Sequence, residues 1–217
     1  MTERRLYLIR HGHASHRSSS ETITPLGRVA DPPLDPNGTE QAEALCRRLQ
    51  QMPDPAGLYV SPLGRARETI APYEAATGRR AEVVDDLAEW FGGDWEFMEF
   101  EELIGEHPEM PERVLLQNPI GELAPNSEPY DAFGRRVEGA VEAGLAASPG
   151  GDVWMICHGG VINAYVGHIL QIHRDQEMFF LPPNTSINTV RVVGEERHVW
   201  FLADDTHLTQ PGLFEER

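Results

Sequence analysis

Short apolar runs alternate with helically spaced apolar positions along most of the chain. Strands are predicted where runs of β-type residues are only a few residues long, over 4–9, 58–60, 81–84 and 153–157. Helices are predicted where apolar residues recur at helical spacing, over about 38–52, 62–77, 128–147 and 160–172. Two further runs, 187–193 and 197–203, predict an antiparallel pair. This order is typical of an α/β fold, a three-layer α/β/α sandwich around a mostly parallel sheet.

Two of the predicted helices have recognisable starts. Asp35 or Asn37 stands near the beginning of the first, and residues of this type cap helices by accepting backbone hydrogen bonds. Ser61 followed by Pro62 is the expected order for a cap and a first helical turn, which predicts that Ser61 caps the second helix.

The remaining segments are predicted to be less regular. A stretch rich in Ser, Pro and Asp, 15–36, reads as a loop. Residues 94–127 are expected to form an irregular substrate-facing insertion, with an acidic helix near 99–106 and a short helix near 112–117. The chain of 217 residues is long enough for one well-buried core, so residues 1–217 are predicted to form a single domain.

The charge of the chain restricts its partners. A net charge of −17 argues against nucleic acid and against anionic membrane surfaces, because both require clustered cations. All 18 basic residues are arginine, so lysine Schiff-base chemistry and phosphate-loop lysines are excluded. A phosphorylated small molecule stays compatible with this charge, since a local group of arginines and a helix N-terminus suffice to hold one phosphate.

The sequence predicts the compartment of the protein but not its oligomeric state. No signal peptide is visible, and the apolar runs are far shorter than the roughly 20 residues that span a bilayer. Cys46 and Cys157 fall in a predicted helix and a predicted buried strand, so two reduced thiols are expected rather than a disulfide. A cytoplasmic enzyme is predicted, and a homodimer is left open.

Two predicted strands end in histidine and glycine. The run 4–9 leads into Arg10-His11-Gly12, and 153–157 leads into His158-Gly159. Because ligands of open α/β sheets bind at the carboxyl edge of the strands, the two imidazoles are expected to meet there. The adjacent arginine indicates that a phosphate is the bound group.

Five segments, in this order along the chain, resemble the histidine phosphatase superfamily, the phosphoglycerate mutase-like proteins. They are 8–12, 31–34 with 38–42, 61–69, 87–89 with 93–96, and 157–162. The resemblance covers almost the whole chain and implies a phosphoglycerate mutase-like fold. It also implies a histidine-type phosphoric monoester hydrolase that works through a phosphohistidine and needs no cofactor.

Residue roles come from this resemblance and agree with phosphoryl-transfer chemistry. His11 is the candidate nucleophile, because a neutral imidazole attacks phosphorus well near pH 7 and forms a labile P–N bond. Arg10 and Arg65 are candidates for gripping phosphate oxygens through charge-assisted hydrogen bonds. His158 is the further candidate donor, and Glu89 is the candidate general acid and base.

Helix amides and loop arginines complete the candidate site. Gly159, with the next glycine, would offer backbone amides at a helix start to the phosphate. Arg17 and Arg28, in the predicted loop, are candidates for contacting the rest of the substrate.

Each residue also has a plainer explanation. His11 and His158 could be structural histidines, and Arg10 and Arg65 could be surface ion-pair partners in a chain so rich in acids. Glu89 lies among several acidic residues, most of which are expected to be solvated.

Metal binding and an aromatic wall are two further alternatives. His11, His13 and His16 are close in sequence, but the Cys and His spacings of zinc sites are missing, so we expect no metal. Trp90 and Phe91 could form a wall over the leaving group, although core packing is favoured.

Departures from the family pattern favour hydrolysis over mutase activity. Residues 94–112 contain no arginine or lysine, whereas a mutase needs several cations to retain its small dianionic intermediate. Gly92 stands where mutases carry a tyrosine. The alternatives left open are a bisphosphoglycerate-dependent phosphoglycerate mutase and a non-catalytic module that binds a phosphorylated ligand.

Overall fold

A six-stranded mixed sheet forms the centre of the protein. The computed structural model describes residues 3–14, 21–24, 27–97, 104–106, 108, 124–172 and 179–208. The strands of the sheet are β1 (Glu3–Arg10), β4 (Gly57–Val60), β5 (Glu82–Val83), β6 (Val153–Cys157), β7 (Ile187–Val193) and β8 (Glu196–Asp204). Their order is β5-β4-β6-β1-β7-β8. The first four strands run parallel to one another, β7 runs antiparallel to its neighbour β1, and β8 runs antiparallel to β7. The predicted mostly parallel sheet with an antiparallel pair is confirmed.

Helices cover both faces of this sheet. They are α1 (Pro36–Leu49), α2 (Gly64–Thr77), α3 (Tyr130–Ala147) and α4 (Gly159–Leu170). Helices α1 and α2 share one buried apolar cluster with the sheet, and α3 and α4 share the other. Burial of each large apolar side chain in these clusters contributes about 1.5–3 kcal/mol. The two clusters make the three layers that the alternation of elements predicts.

A small hairpin occupies part of the segment predicted as a loop. Strands β2 (Glu21–Thr24) and β3 (Gly27–Ala30) pair antiparallel to each other, outside the main sheet. The loop prediction is therefore wrong for these residues. The run Thr22-Ile23-Thr24 is β-branched and favours a strand, but the surrounding Ser, Pro and Asp residues obscured it.

The two predicted helix caps have different outcomes. Asp35 caps α1 by accepting a hydrogen bond of 2.8 Å from the amide of Gly38. Ser61 does not cap α2, which begins at Gly64 and has no cap from its own flanking side chains. Instead the carboxylate of Asp31, from the end of the hairpin, accepts a hydrogen bond of 2.7 Å from the amide of Gly64. A partner brought by the fold has replaced the local one.

Several other expectations concern segments that are described in part. Residues 104–106 are helical, whereas the predicted helix at 112–117 lies outside the described residues. Cys46 and Cys157 are both buried free thiols, as expected. In the described ranges, no helix is long and apolar enough to cross a membrane.

Candidate active site

The candidate site lies at the carboxyl ends of two adjacent parallel strands. Arg10 of β1 is in register with Cys157 of β6, so the next residue of each strand is a histidine. The ring centroids of His11 and His158 are 5.1 Å apart, with their planes tilted by 58°. The structure therefore brings together the two imidazoles that the strand endings predict.

Hydrogen bonds hold the His11 ring in one tautomer. Its Nδ1 lies 2.7 Å from the carbonyl oxygen of Gly12, which can only accept, so Nδ1 carries the hydrogen and Nε2 keeps a lone pair. The carbonyl of His11 accepts hydrogen bonds from the Thr185 amide (3.2 Å) and the Asn184 side chain (3.1 Å). His11 is buried and fixed, with the nitrogen suited to nucleophilic attack left unprotonated.

Gly12 permits a close approach between this strand end and α1. A Cβ at Gly12 would lie 2.8 Å from the carbonyl oxygen of Gly38, closer than real side chains come to backbone. The Gly12 amide also donates to the hydroxyl of Thr69 (2.9 Å), which donates in turn to the carbonyl of Arg65 (2.7 Å). The loop that carries His11 is thus bound to both helices of this layer.

Two guanidinium groups act electrostatically on both imidazoles. Burial lowers the pKa of His11 well below its usual value, and the positive charges of Arg65 and Arg10 lower it further. Burial, Arg65, His11 and Arg10 lower the pKa of His158 in the same way. Both rings are therefore neutral at pH 7 in the free protein. The same cations provide the positive field that an incoming phosphate requires.

Arg65 is already held by an anion of the protein. Its guanidinium donates to the carbonyl of Ala30 (3.1 Å) and lies 3.4 Å from the carboxylate of Asp31. The side chains of Arg65 and Asp31 are both buried, so the surface-pair explanation does not apply to Arg65. A cation near a helix N-terminus is unfavourable unless an anion lies beside it, and Asp31 supplies that anion. Arg10 is anchored differently, by a hydrogen bond of 2.6 Å to the carbonyl of Pro182.

His158 contacts a buried serine. Its Nε2 lies 2.7 Å from Oγ of Ser61, and neither residue is exposed. Its Nδ1 is buried and has no hydrogen-bond partner among the described residues. That nitrogen is therefore a buried polar atom whose hydrogen bonding the described residues do not satisfy.

Glu89 contacts the first turn of α4, the helix that directly follows His158 in the chain. One carboxylate oxygen accepts from the amide of Gly160 (3.0 Å) and the other from the amide of Trp90 (2.9 Å). The expectation that both glycine amides face the phosphate is therefore wrong for Gly160, whose amide is occupied by Glu89. Gly159 remains the candidate amide donor.

Arg136 anchors the segment that carries Glu89, and sequence reasoning missed it. Its guanidinium forms a two-pronged pair with Glu128 (2.7 and 2.8 Å) and donates to the backbone carbonyls of Ala88 (2.9 Å) and Glu89 (3.0 Å). The side chains of Arg136 and Glu128 are 11% and 7% exposed, so this is a buried pair. An arginine on an otherwise apolar face of a helix indicates a buried ion pair, but the carbonyls of Ala88 and Glu89 that it binds lie 48 and 47 residues away in sequence.

The other candidate residues are not brought into the site by the described structure. Arg17 and His16 lie outside the described residues, and Arg28 is described only through its backbone in β3. His13 pairs with Asp35, the residue that caps α1, at a distance of 2.6 Å. The described residues contain no group of three or more side chains that could hold a metal ion.

Aromatic and C-terminal residues complete the surroundings. Trp90 packs against the apolar cluster of α3 and α4, as favoured, and its indole N–H donates to the carbonyl of Glu128 (2.7 Å). Near the C-terminus, Nε2 of His207 lies 3.1 Å from the hydroxyl of Thr185, whose amide binds the His11 carbonyl. This contact gives the C-terminal segment a structural link to the candidate nucleophile.

Known proteins resemble this chain over most of its length. The chain is 26% identical over 212 residues to a metal-independent phosphoserine phosphatase of Arabidopsis thaliana, covering 97% of this chain and 85% of that protein. It is 28% identical over 168 residues to an adenosylcobalamin/alpha-ribazole phosphatase of Salmonella typhimurium, covering 76% and 79%. Among solved structures, Bacillus stearothermophilus YhfR matches with a TM-score of 0.78 at 25% identity, covering 94% of this chain and 98% of that one.

The family follows from a match over nearly the whole chain. The family model described as histidine phosphatase superfamily (branch 1) matches residues 6–205. These residues include all five segments that carry the resemblance. The chain belongs to the histidine phosphatase superfamily, branch 1.

Proposed function

We propose that the protein hydrolyses phosphate monoesters of small molecules through a phosphohistidine formed at His11. The observation that carries the proposal is the pairing of two buried, neutral imidazoles 5.1 Å apart beside two arginines. Membership of the family and the phosphatase names of the relatives support the reaction class.

The reaction proceeds in two transfers. Nε2 of His11 attacks phosphorus, the bond from phosphorus to the ester oxygen breaks, and Glu89 gives a proton to the leaving alcohol. A water molecule then attacks the phosphohistidine, gives a proton to Glu89 and releases inorganic phosphate. The His11 lone pair and the proton of Glu89 are thereby restored.

Charge neutralisation is the task of the surrounding residues. Phosphoryl transfer spreads negative charge over three equatorial oxygens, and fixed donors that face them lower the barrier. We assign this task to Arg10, Arg65, His158 and the amide of Gly159. Three of these donors are held before substrate arrives, because Arg65 contacts Asp31, His158 contacts Ser61 and Arg10 donates to the carbonyl of Pro182.

The substrate class follows from charge. A chain with a net charge of −17 disfavours polyanionic substrates and favours monoesters with a neutral or weakly charged body. Phosphoserine and alpha-ribazole phosphate, named for the relatives' activities, are reasonable members of a test panel. The lack of any arginine or lysine in residues 94–112 favours hydrolysis over mutase activity.

The test measures phosphate release and the covalent intermediate together. Wild-type protein should release phosphate from p-nitrophenyl phosphate and from part of the panel, and mass spectrometry after rapid quenching should place an acid-labile phosphate on His11. His11→Ala should abolish both. The matched control is His198→Ala, because His198 is about half exposed on β8 and should tolerate the change. Phosphate release at the wild-type rate by His11→Ala would refute the mechanism, and conversion of 3-phosphoglycerate to 2-phosphoglycerate would favour the mutase instead.

A further inference from the structure

We propose that Ser61 is a positioning residue that holds His158 as the neutral tautomer with its hydrogen on Nδ1. The ring then presents an N–H donor to a phosphate oxygen without carrying a positive charge. This inference rests on the proposed function and concerns how one donor of that site is prepared before substrate binds.

The hydrogen bonds of the Ser61 hydroxyl decide the tautomer. Oγ accepts a hydrogen bond from the amide of Leu63 (3.3 Å) and lies 2.7 Å from Nε2 of His158. Ser61 is fully buried, and Nε2 is the acceptor that the described structure offers to its hydroxyl hydrogen. A serine hydroxyl has one hydrogen to donate, so the hydroxyl donates to Nε2. Nε2 is then the unprotonated nitrogen, and Nδ1 carries the hydrogen.

The opposite tautomer is less satisfactory. If Nε2 carried the hydrogen, it would donate to Ser61, and the hydroxyl hydrogen would be left buried without an acceptor. Nδ1 would be a second unsatisfied group, since it has no partner among the described residues. The proposed tautomer leaves only one group unsatisfied, the Nδ1–H. Native proteins satisfy nearly all buried polar groups, so the arrangement with fewer orphans is preferred.

The one remaining orphan indicates a ligand. A fully buried N–H without an acceptor is costly, and a bound oxyanion removes that cost. His11 shows the complementary arrangement, since its Nδ1–H is bound to the Gly12 carbonyl and its Nε2 holds a lone pair. One ring of the pair thus offers a lone pair to phosphorus and the other offers a hydrogen to an oxygen bonded to it.

The assignment also gives Ser61 a role that differs from the helix cap predicted from the sequence. In the proposed tautomer, His158 serves as the candidate donor while its ring stays neutral. Ser61 was expected to cap α2, whereas its hydroxyl serves His158, and Asp31 performs the capping.

The test reads the tautomer directly by ¹⁵N NMR of the imidazole nitrogens in the ligand-free, full-length protein. The His158 signals are assigned among the nine histidines by their loss in His158→Gln. In wild type, Nδ1 should be the protonated nitrogen. Ser61→Ala should shift the population towards protonated Nε2 and lower kcat/KM for an alkyl phosphate about 10-fold to 100-fold, as expected for one lost buried hydrogen bond. Ser61→Thr keeps the hydroxyl and should restore the wild-type tautomer.

Ser148→Ala is the matched control. Ser148 is also buried and hydrogen-bonded through its hydroxyl, to Tyr59 (2.9 Å), and lies beside Gly57 at the amino end of β4, so its loss should leave the His158 signals unchanged. A wild-type His158 that is protonated on Nε2, or on both nitrogens at pH 7, would overturn the proposal. So would a Ser61→Ala protein with the wild-type tautomer, whatever its activity. A protein with the expected tautomer that hydrolyses no monoester would overturn the proposed function alone.

Discussion

A single added methyl group at Gly160 should separate the two roles of Glu89. A Cβ at this position would lie 2.3 Å from Oε1 of Glu89, whereas ordinary contacts begin near 3.4 Å. The backbone of α4 is fixed by the helix, so the carboxyl end of Glu89 must move by more than about 1 Å. The Gly160→Ala change therefore displaces the candidate acid without deleting it.

The effect on stability should be small. Alanine is favoured over glycine inside a helix by about 1 kcal/mol, while loss of the hydrogen bond from Gly160 to the Glu89 carboxylate costs about 1.5–3 kcal/mol. The free energy of unfolding should fall by about 0.5–2 kcal/mol, which urea titration can measure. Gly139→Ala is the control, because Gly139 lies in α3 with no atom near the added Cβ. That change should raise stability by up to about 1 kcal/mol and leave activity intact.

The effect on catalysis should depend on the leaving group. A general acid contributes roughly 100-fold to 10,000-fold to the release of a poor leaving group such as an alkoxide. Gly160→Ala should therefore lower kcat by about 100-fold or more on an alkyl phosphate. It should lower kcat far less on p-nitrophenyl phosphate, since nitrophenolate leaves without a proton. Equal losses on both substrates, or wild-type kcat on the alkyl ester, would refute the placement of the acid at Glu89.

Two further predictions concern stability. Because the pKa values of His11 and His158 lie well below those of the unfolded chain, the unfolded state binds more protons as the pH falls below about 6.5. Each histidine should then lower the free energy of unfolding by up to about 1.4 kcal/mol per pH unit. Urea titrations between about pH 7.5 and about pH 5 should therefore show a steep loss of stability. A free energy of unfolding that stays flat over this range would contradict the burial of neutral rings. Arg136→Ala breaks a buried pair and should cost about 3–5 kcal/mol, whereas Arg135→Ala removes an exposed neighbour and should cost less than about 1 kcal/mol. If Arg136→Ala lost as little stability as Arg135→Ala in thermal or urea unfolding, the Arg136 network would carry little of the stability.

The sequence predicts best what depends on local pattern. Strand β1 and strand β6 are recognisable as short apolar runs, and their shared ending in histidine and glycine indicates a common edge. The order of the sheet makes these strands neighbours, which confirms the expected meeting of His11 and His158. The family was predicted from five short segments and is confirmed by the family model. Hydrolysis was predicted from departures from the mutase pattern, and the family and its phosphatase-named relatives support it.

Contacts between distant segments could not be predicted in the same way. Asp31 caps α2 from 33 residues away, and Ser61 contacts His158 from 97 residues away. Local rules gave Ser61 the capping role, because they weigh only the flanking residues. Arg136 reaches the carbonyl of Glu89 across 47 residues, and no motif marks it. Such partners are decided by packing between elements.

Some statements about the protein stay predictions. The catalytic roles, the single-domain organisation and the cytoplasmic location rest on the sequence and the family resemblance. The part played by Arg17 and Arg28 in substrate binding also stays a prediction.

The distance between the His11 and His158 rings is determined by the spacing of the two strands that precede them. Adjacent strands run about 4.8 Å apart, close to the 5.1 Å that separates the two rings. Because the ladder between β1 and β6 sets this interval, remodelling of surface connections can admit esters of new shapes while the reacting pair keeps its geometry. A slip of one residue between these strands would displace one ring by about 3.3 Å and turn it to the opposite face of the sheet, so the two imidazoles would no longer meet.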